Sequence, residues 1–258
     1  AGARKEGEAF GEEYELPNET AYAETCAGIA NLMWNFRMLQ TLGEARFADI
    51  MELCLYNGVL SGISLDGKEY LYVNPLADRG NHRRQRWFAC ACCPPNIART
   101  ITAIPGYMYS VSSDGIWVHL YASSILKLDI NSSSVTVKEE TDYPWDGNIE
   151  FVLEANSHFK LFLRKPGWCE KFSVSINGEK VNPILENSYI VIEKDWQEGD
   201  TVRLNLVMNP ELLESHPKVK DNVGRVAIRR GPIIYCVEAE DNPWGDVWDL
   251  EISEGTGL

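Results

Sequence analysis

Cys92-Cys93-Pro94-Pro95-Asn96-Ile97-Ala98-Arg99-Thr100-Ile101-Thr102-Ala103-Ile104-Pro105-Gly106 is the stretch on which the fold turns, because the chain has helical texture before it and strand texture soon after it. The proline pair suits the first turn of a helix, where backbone amides have no intrahelical acceptor to lose. Ile97, Ile101 and Ile104 then recur at helical spacing until Pro105-Gly106, where the helix must end or kink.

Upstream, Ile29, Leu32, Met33, Phe36 and Leu39 follow Cys26 at the three-and-four spacing of an amphipathic helix, with Thr25 as its N-cap and Gly43 as its stop. A second helix is predicted from Ala45 to about Leu60, burying Phe47, Ile50, Met51 and Cys54, and Ser64-Leu65-Asp66-Gly67 reads as a turn. Downstream of about Ser110 come short alternating segments: 116–121, 126–130, 134–137, 149–153, 159–163 and 172–176. Asn177-Gly178 is a hairpin signal, and 189–192, 202–206, 226–228 and 233–237 continue the pattern. The helices are too few to close a barrel or bundle alone, whereas the strands suffice for a pair of sheets, so an all-β sandwich is expected to follow a helical region.

With 258 residues, 45% of them hydrophobic, the chain can bury one large core or two modest ones. Its apolar stretches are interrupted too often to span a bilayer, and the first residues lack a signal core. A net charge of -14 argues against a nucleic-acid partner. The dense basic run Arg79-Gly80-Asn81-His82-Arg83-Arg84-Gln85-Arg86 reads as a solvated loop pairing with acidic side chains, or else as the rim of a polar ligand site. Seven cysteines, three of them within four residues, do not make a regular disulfide framework, and a reducing, cytoplasmic setting is expected.

Cys90-Ala91-Cys92-Cys93 and Glu24-Thr25-Cys26 together offer thiols and a carboxylate to one divalent metal, at spacings unlike those of zinc fingers. Cys26 and the Cys92-Cys93 pair fall at helix starts, where the dipole favours thiolate. Glu24 is two residues from Cys26 and cannot share its helical face, so it must lie in extended chain just before the helix. Spacing alone leaves three readings open: buried apolar thiols, a structural zinc, or a catalytic metal-thiolate.

Gly7-Glu8-Ala9-Phe10, Glu24-Thr25-Cys26-Ala27, Gly62-Ile63-Ser64-Leu65-Asp66-Gly67 and Phe88-Ala89-Cys90-Ala91-Cys92-Cys93-Pro94 resemble glycoside hydrolase family 127, the β-L-arabinofuranosidases, with family 146 a close relative. The resemblance covers the first 110 or so residues strongly and the β region more loosely, through Phe162-Leu163-Arg164-Lys165-Pro166-Gly167-Trp168 and Arg229-Arg230-Gly231-Pro232.

It implies a multidomain chain: residues 1–109 the C-terminal part of an (α/α)6 catalytic barrel, and 110–258 a β-sandwich region with a second, incomplete β-domain after about 214. It implies a retaining exo-glycosidase that releases L-arabinofuranose from plant-type or bacterial oligosaccharides through a zinc-bound cysteine. Glu24, Cys26, Cys92 and Cys93 match the metal ligands, Cys92 the nucleophile, Glu8 the general acid/base, and Tyr72 a tyrosine of the sugar pocket, with Cys90 in support. About half of the family's helical barrel is expected to precede Ala1, so the chain reads as an excised or incomplete gene product or as one completed by a partner segment, with a homo-oligomer as a further expectation. A non-catalytic, zinc-stabilised carbohydrate-binding or scaffolding module is the alternative, and a redox sensor built on Cys92-Cys93 ranks below it.

Overall fold

The computed structural model describes residues 8–130 and 132–252. Helix α1 spans Thr25–Leu42 and stops at Gly43, whose φ of 66° is the left-handed conformation that lets its amide close on the Leu39 carbonyl. Thr25 is not the cap expected of it. Glu24 occupies that position without a side-chain cap bond, while the Thr25 hydroxyl donates instead to the Leu71 carbonyl, 2.9 Å away. Helix α2, Ala45–Cys54, loosens into a π turn over Leu55–Val59 and a 3-10 turn over Leu60–Gly62. Helix α3, Cys93–Ala103, begins with the prolines in its first turn and kinks into the single turn α4, Pro105–Met108. Among the described residues no helix is long and apolar enough to cross a membrane.

The strands are β1 Tyr109–Val111, β2 Gly115–Val118, β3 Ser124–Ile130, β4 Ser133–Thr141, β5 Asn148–Glu154, β6 Ser157–Arg164, β7 Phe172–Ile176, β8 Glu179–Val181, β9 Ile184–Glu186, β10 Tyr189–Trp196, β11 Asp200–Leu206, β12 Pro210–Glu214, β13 Val226–Arg230 and β14 Ile233–Tyr235. They form three sheets, ordered β1-β2-β6-β10-β9, β3-β4-β5-β11-β7-β8 and β12-β13-β14. All pairs are antiparallel except β2 with β6. At that parallel pair Gly115 is obligatory, since a Cβ there would lie 1.8 Å from the Lys160 carbonyl oxygen. The Asn177-Gly178 turn takes positive φ at both positions, 51° and 85°, which joins β7 to β8 in the twist that hairpins require. Asn187-Ser188 does the same between β9 and β10 without a glycine to announce it.

The first two sheets enclose one core. Ile116, Leu161, Leu163, Ile190 and Ile192 from the five-stranded sheet meet Val137, Phe151, Leu153, Val202 and Leu204 from the six-stranded one. A second cluster joins helices to strands, with Leu32, Phe36, Leu39, Phe47 and Met51 against Leu120, Phe162 and Tyr189. Two helices packed on a sheet thus bury most of the apolar stripes that their periodicity predicted, but Ile50, expected on the buried face of α2, is exposed.

Glu139 and His119 are among the titratable groups buried in these layers. Burial pushes the Glu139 carboxyl up to about 8, although hydrogen bonds from the Tyr109 hydroxyl at 2.5 Å and the Ala122 amide at 3.1 Å favour its ionised form. A raised carboxyl contributes stability below its unfolded value of 4.5 that is lost as pH rises toward 8. Glu139→Gln, which keeps the shape and can still bond Tyr109, is therefore expected to remove that loss. Urea unfolding should show the variant gaining on the parent between pH 5 and pH 9, and a constant difference across that range would refute the assignment. His119 acts on the acid side, since burial and then Arg164 depress its imidazole to about 3, and stability that needs it neutral falls as pH drops below 6.5.

Candidate metal centre

Chain segment 70–74 runs antiparallel to the residues before α1. Glu24 bridges Val73, the Thr25 amide donates to the Tyr72 carbonyl at 2.9 Å, and the Asn74 amide donates to the Ala23 carbonyl. This pairing holds Glu24 in extended backbone, φ -59° and ψ 137°, as its spacing from Cys26 demanded. Cys26 follows in the first turn of α1, and Cys92 and Cys93 stand at the N-cap and first residue of α3. Packing of Ile29, Val59 and Ile97 beneath them sets the two helix starts side by side.

The ligand atoms of Glu24, Cys26, Cys92 and Cys93 all lie within 4.8 Å of one another and could hold a metal ion. Cys92 Sγ is 3.5 Å from Glu24 Oε1 and 3.6 Å from Cys93 Sγ, and Cys93 Sγ is 3.7 Å from the same carboxylate oxygen. Cys93 is fully buried while its three companions are half-buried. Burial first, and then the neighbouring Cys26 thiol, push the Cys93 thiol well above its ordinary range. A cation among these sulfurs would act in the opposite sense, favouring thiolate.

Beside the cluster Tyr72 stands over Cys90 and Cys92. Its hydroxyl is 3.7 Å from Cys90 Sγ, and hydrogen bonds to the Cys92 and Cys90 sulfurs, with burial, hold the phenol far above its usual titration range. Its ring packs edge-on against Phe88 at 5.5 Å and tilted against Tyr22 at 6.3 Å. The Tyr22 hydroxyl donates in turn to Glu8 Oε1 at 3.0 Å, and burial together with that carboxylate pushes Tyr22 up to about 12. Glu8 is therefore connected to the cysteines through two tyrosines. It is itself exposed, with a left-handed φ of 50°, and its neighbour Gly7 lies outside the described residues.

The basic run takes structural contacts. Arg79 pairs with Glu19 at 3.3 Å and lies over the Trp248 ring, Arg84 donates to the Ser61 carbonyl, and Arg83 to the adjacent His82 carbonyl. Gln85 exchanges both backbone bonds with Tyr70, which ties the loop to the segment that carries Tyr72. Cys54, expected in the core, is partly buried against the helix–sheet cluster and accepts from Asn31 at 3.3 Å.

Two residues of the site escape a sequence reading. Asn96 donates from Nδ2 to Cys26 Sγ at 3.2 Å, and the only sequence signal is its position one helical turn after Cys92 and Cys93. Tyr22 has none, because its partner Glu8 is 14 residues away in irregular chain.

Models of the GH127 β-L-arabinofuranosidase catalytic domain, the GH127 middle domain and the family 127 C-terminal domain match residues 1–106, 115–208 and 210–257 in turn. A non-reducing end β-L-arabinofuranosidase of Bifidobacterium longum subsp. longum is 35% identical over 273 aligned residues, which span 98% of this chain and 41% of that protein. The crystal structure of Ara127N-Se, a GH127 β-L-arabinofuranosidase from Geobacillus stearothermophilus T6, superposes with a TM-score of 0.89 at 46% identity, covering 94% of this chain and 40% of that one. The GH127 β-arabinofuranosidase BT3674 superposes with a TM-score of 0.88 at 40% identity, covering 93% and 41%. The chain thus spans about two fifths of the length of these relatives. Three consecutive models of one family across nearly all its residues, and close structural likeness over the same span, mean that the chain belongs to glycoside hydrolase family 127.

Proposed function

We propose that this chain carries the nucleophile and the metal ligands of a retaining exo-β-L-arabinofuranosidase that uses zinc, in a molecule whose helices complete an (α/α)6 barrel with residues outside the chain and whose first two sheets form its β-sandwich. The observation that carries the reading is the convergence of Glu24, Cys26, Cys92 and Cys93 from two helix starts 66 residues or more apart. Three thiols and one carboxylate form a donor set that zinc accepts in tetrahedral geometry. Zinc–sulfur bonds of about 2.3 Å require sulfurs roughly 3.8 Å apart and a sulfur–oxygen separation of about 3.6 Å. The 3.6 Å between the Cys92 and Cys93 sulfurs and their 3.5 and 3.7 Å to Glu24 Oε1 fit that requirement, and Cys26 Sγ lies within 4.8 Å of all three. When bound, zinc would keep its cysteine ligands ionised and oriented.

The half-buried Cys92, with Tyr72 beside it, is the sulfur offered to substrate. In the first step the Cys92 sulfur attacks the anomeric carbon while Glu8, protonated, gives its proton to the departing glycosidic oxygen. In the second, Glu8 as carboxylate takes a proton from water, which attacks the same carbon and breaks the carbon–sulfur bond. Two inversions give net retention, with the thiolate in the role that a carboxylate fills in most retaining glycosidases. Tyr72, held protonated, donates toward the ring or hydroxyl oxygens of the sugar above the cysteines.

The test is the anomer first released from p-nitrophenyl β-L-arabinofuranoside by the full-length gene product, followed by proton NMR. The β-anomer is expected, and an inverted product would exclude the nucleophile role of Cys92. Glu8→Gln is expected to slow hydrolysis of an unactivated glycan by about 10²- to 10⁴-fold, the usual contribution of a general acid or base. The activated aryl glycoside should suffer less in the first step.

A further inference from the structure

We infer that Asn96 is a positioning residue that pins Cys26 as the anchored sulfur of the cluster and, by doing so, leaves Cys92 as the reactive one; the inference deepens the function proposed above and rests on it. Asn96 lies one turn into α3, and its carboxamide crosses to the first turn of α1, where Nδ2 stands 3.2 Å from Cys26 Sγ. That is closer than any other hydrogen-bond contact within the cluster, which run from 3.5 to 3.8 Å.

The direction of the amide is determined by a second contact. Arg99, one turn further along the same helix face, donates from Nη2 to Asn96 Oδ1 at 2.5 Å. A guanidinium can only donate, so it selects the amide oxygen and leaves the nitrogen facing sulfur. The backbone of Asn96 is secured as well, its amide donating to the Cys92 carbonyl at 3.1 Å and its carbonyl accepting from the Thr100 hydroxyl at 2.8 Å. One side chain therefore straps together the two helix starts that supply the sulfurs.

An N–H donor on a thiolate withdraws lone-pair density from it, which weakens the sulfur as a nucleophile and orients it as a ligand. Cys26 has that donor. Among the described residues Cys92 has the Glu24 carboxylate and Cys93 around it and no side-chain amide, and its one side-chain donor, the Tyr72 hydroxyl, is the group that turns to the sugar in the proposed mechanism. Asn96 thus sets Cys26 apart, the full burial of Cys93 leaves Cys92 as the accessible sulfur without an amide, and Arg99 maintains the arrangement from an exposed position.

The experiment replaces the expected metal with Co(II) in the reduced, full-length gene product and compares Asn96→Leu and Arg99→Leu with the parent. Asn96→Leu keeps the volume and deletes the donor. Its sulfur-to-cobalt charge-transfer band should move to lower energy, and metal affinity measured by chelator competition should fall about 10- to 100-fold, the usual effect of losing such a partner. Arg99→Leu, on the surface, should shift the band in the same direction by less, and it serves if Asn96→Leu fails to fold by circular dichroism. Unchanged band energy and affinity in a folded Asn96→Leu, or in Arg99→Leu where that variant alone folds, would overturn the inference while the metal site stands. A parent protein with no thiolate charge-transfer band would overturn the metal site and this inference with it.

Discussion

Cys92→Ser is expected to lower kcat of the full-length gene product by roughly 10⁴-fold or more, the scale at which removing a covalent nucleophile leaves only binding and electrostatic residues at work. A serine hydroxyl is far less acidic than a thiol and far less nucleophilic at neutral pH. The complication is that Cys92 also belongs to the metal cluster, 3.5 Å from Glu24 and 3.6 Å from Cys93. Cys26→Ser supplies the control, since Cys26 belongs to the same set of ligand atoms but has no nucleophilic role in the mechanism. At saturating zinc, Cys26→Ser should regain activity as metal is added, whereas Cys92→Ser should not. Intact-mass and peptide analysis of Glu8→Gln with an activated substrate should find one pentosyl group on Cys92, because the second step then lacks its base. A pentosyl group on a carboxylate, or Cys92→Ser retaining its rate, would end the cysteine mechanism.

The second large effect concerns stability. Arg164, at the end of β6, is wholly buried and meets two acids of α2: Nη1 lies 2.6 Å from Asp49, and Nη2 binds Glu52. The Tyr143 hydroxyl and the Trp168 indole also donate to Glu52, the Gly167 amide to Asp49, and Tyr121 to the Arg164 carbonyl. Helices and sheets are thus joined through one guanidinium in an apolar interface. Arg164→Met would leave a buried carboxylate without its counter-ion, at a cost of about 3 to 5 kcal/mol. For a protein of this size that is a fall in Tm of roughly 6 to 20 °C. The combined Arg164→Met, Glu52→Leu, Asp49→Leu variant should recover only part of the loss, because it removes the uncompensated charge but leaves the Tyr143, Trp168 and Gly167 donors without their acceptors. Urea unfolding followed by tryptophan fluorescence measures both, and a single-variant loss below about 1 kcal/mol would show that water reaches the network in solution.

Much of this molecule could be read locally. The spacing of Ile29, Leu32, Phe36 and Leu39 marked α1, the prolines at 94 and 95 marked the start of α3, and Asn177-Gly178 marked the β7–β8 hairpin. The short strands β1, β8, β9 and β12 were not marked, because each is three to five residues long and is stabilised by its neighbour rather than by its own alternation. The π turn at Leu55–Val59 was also hidden, since a helical pattern does not reveal a change in winding.

The site divides in the same way. Residue type and helix-start chemistry identified Glu24, Cys26, Cys92 and Cys93 as donors, and two-residue spacing required Glu24 to be extended. That they meet depends on residues 70–74 pairing with 23–25 and on Ile29, Val59 and Ile97 packing between the helices. The Arg164–Glu52 link, across 112 residues, and the parallel pairing of β2 with β6 are of the same kind. Periodicity, capping and turn preference act over a few residues and are written into the chain directly. Which distant segments come together is decided by how the whole set of apolar faces can be buried at once, and only the tertiary structure contains that solution.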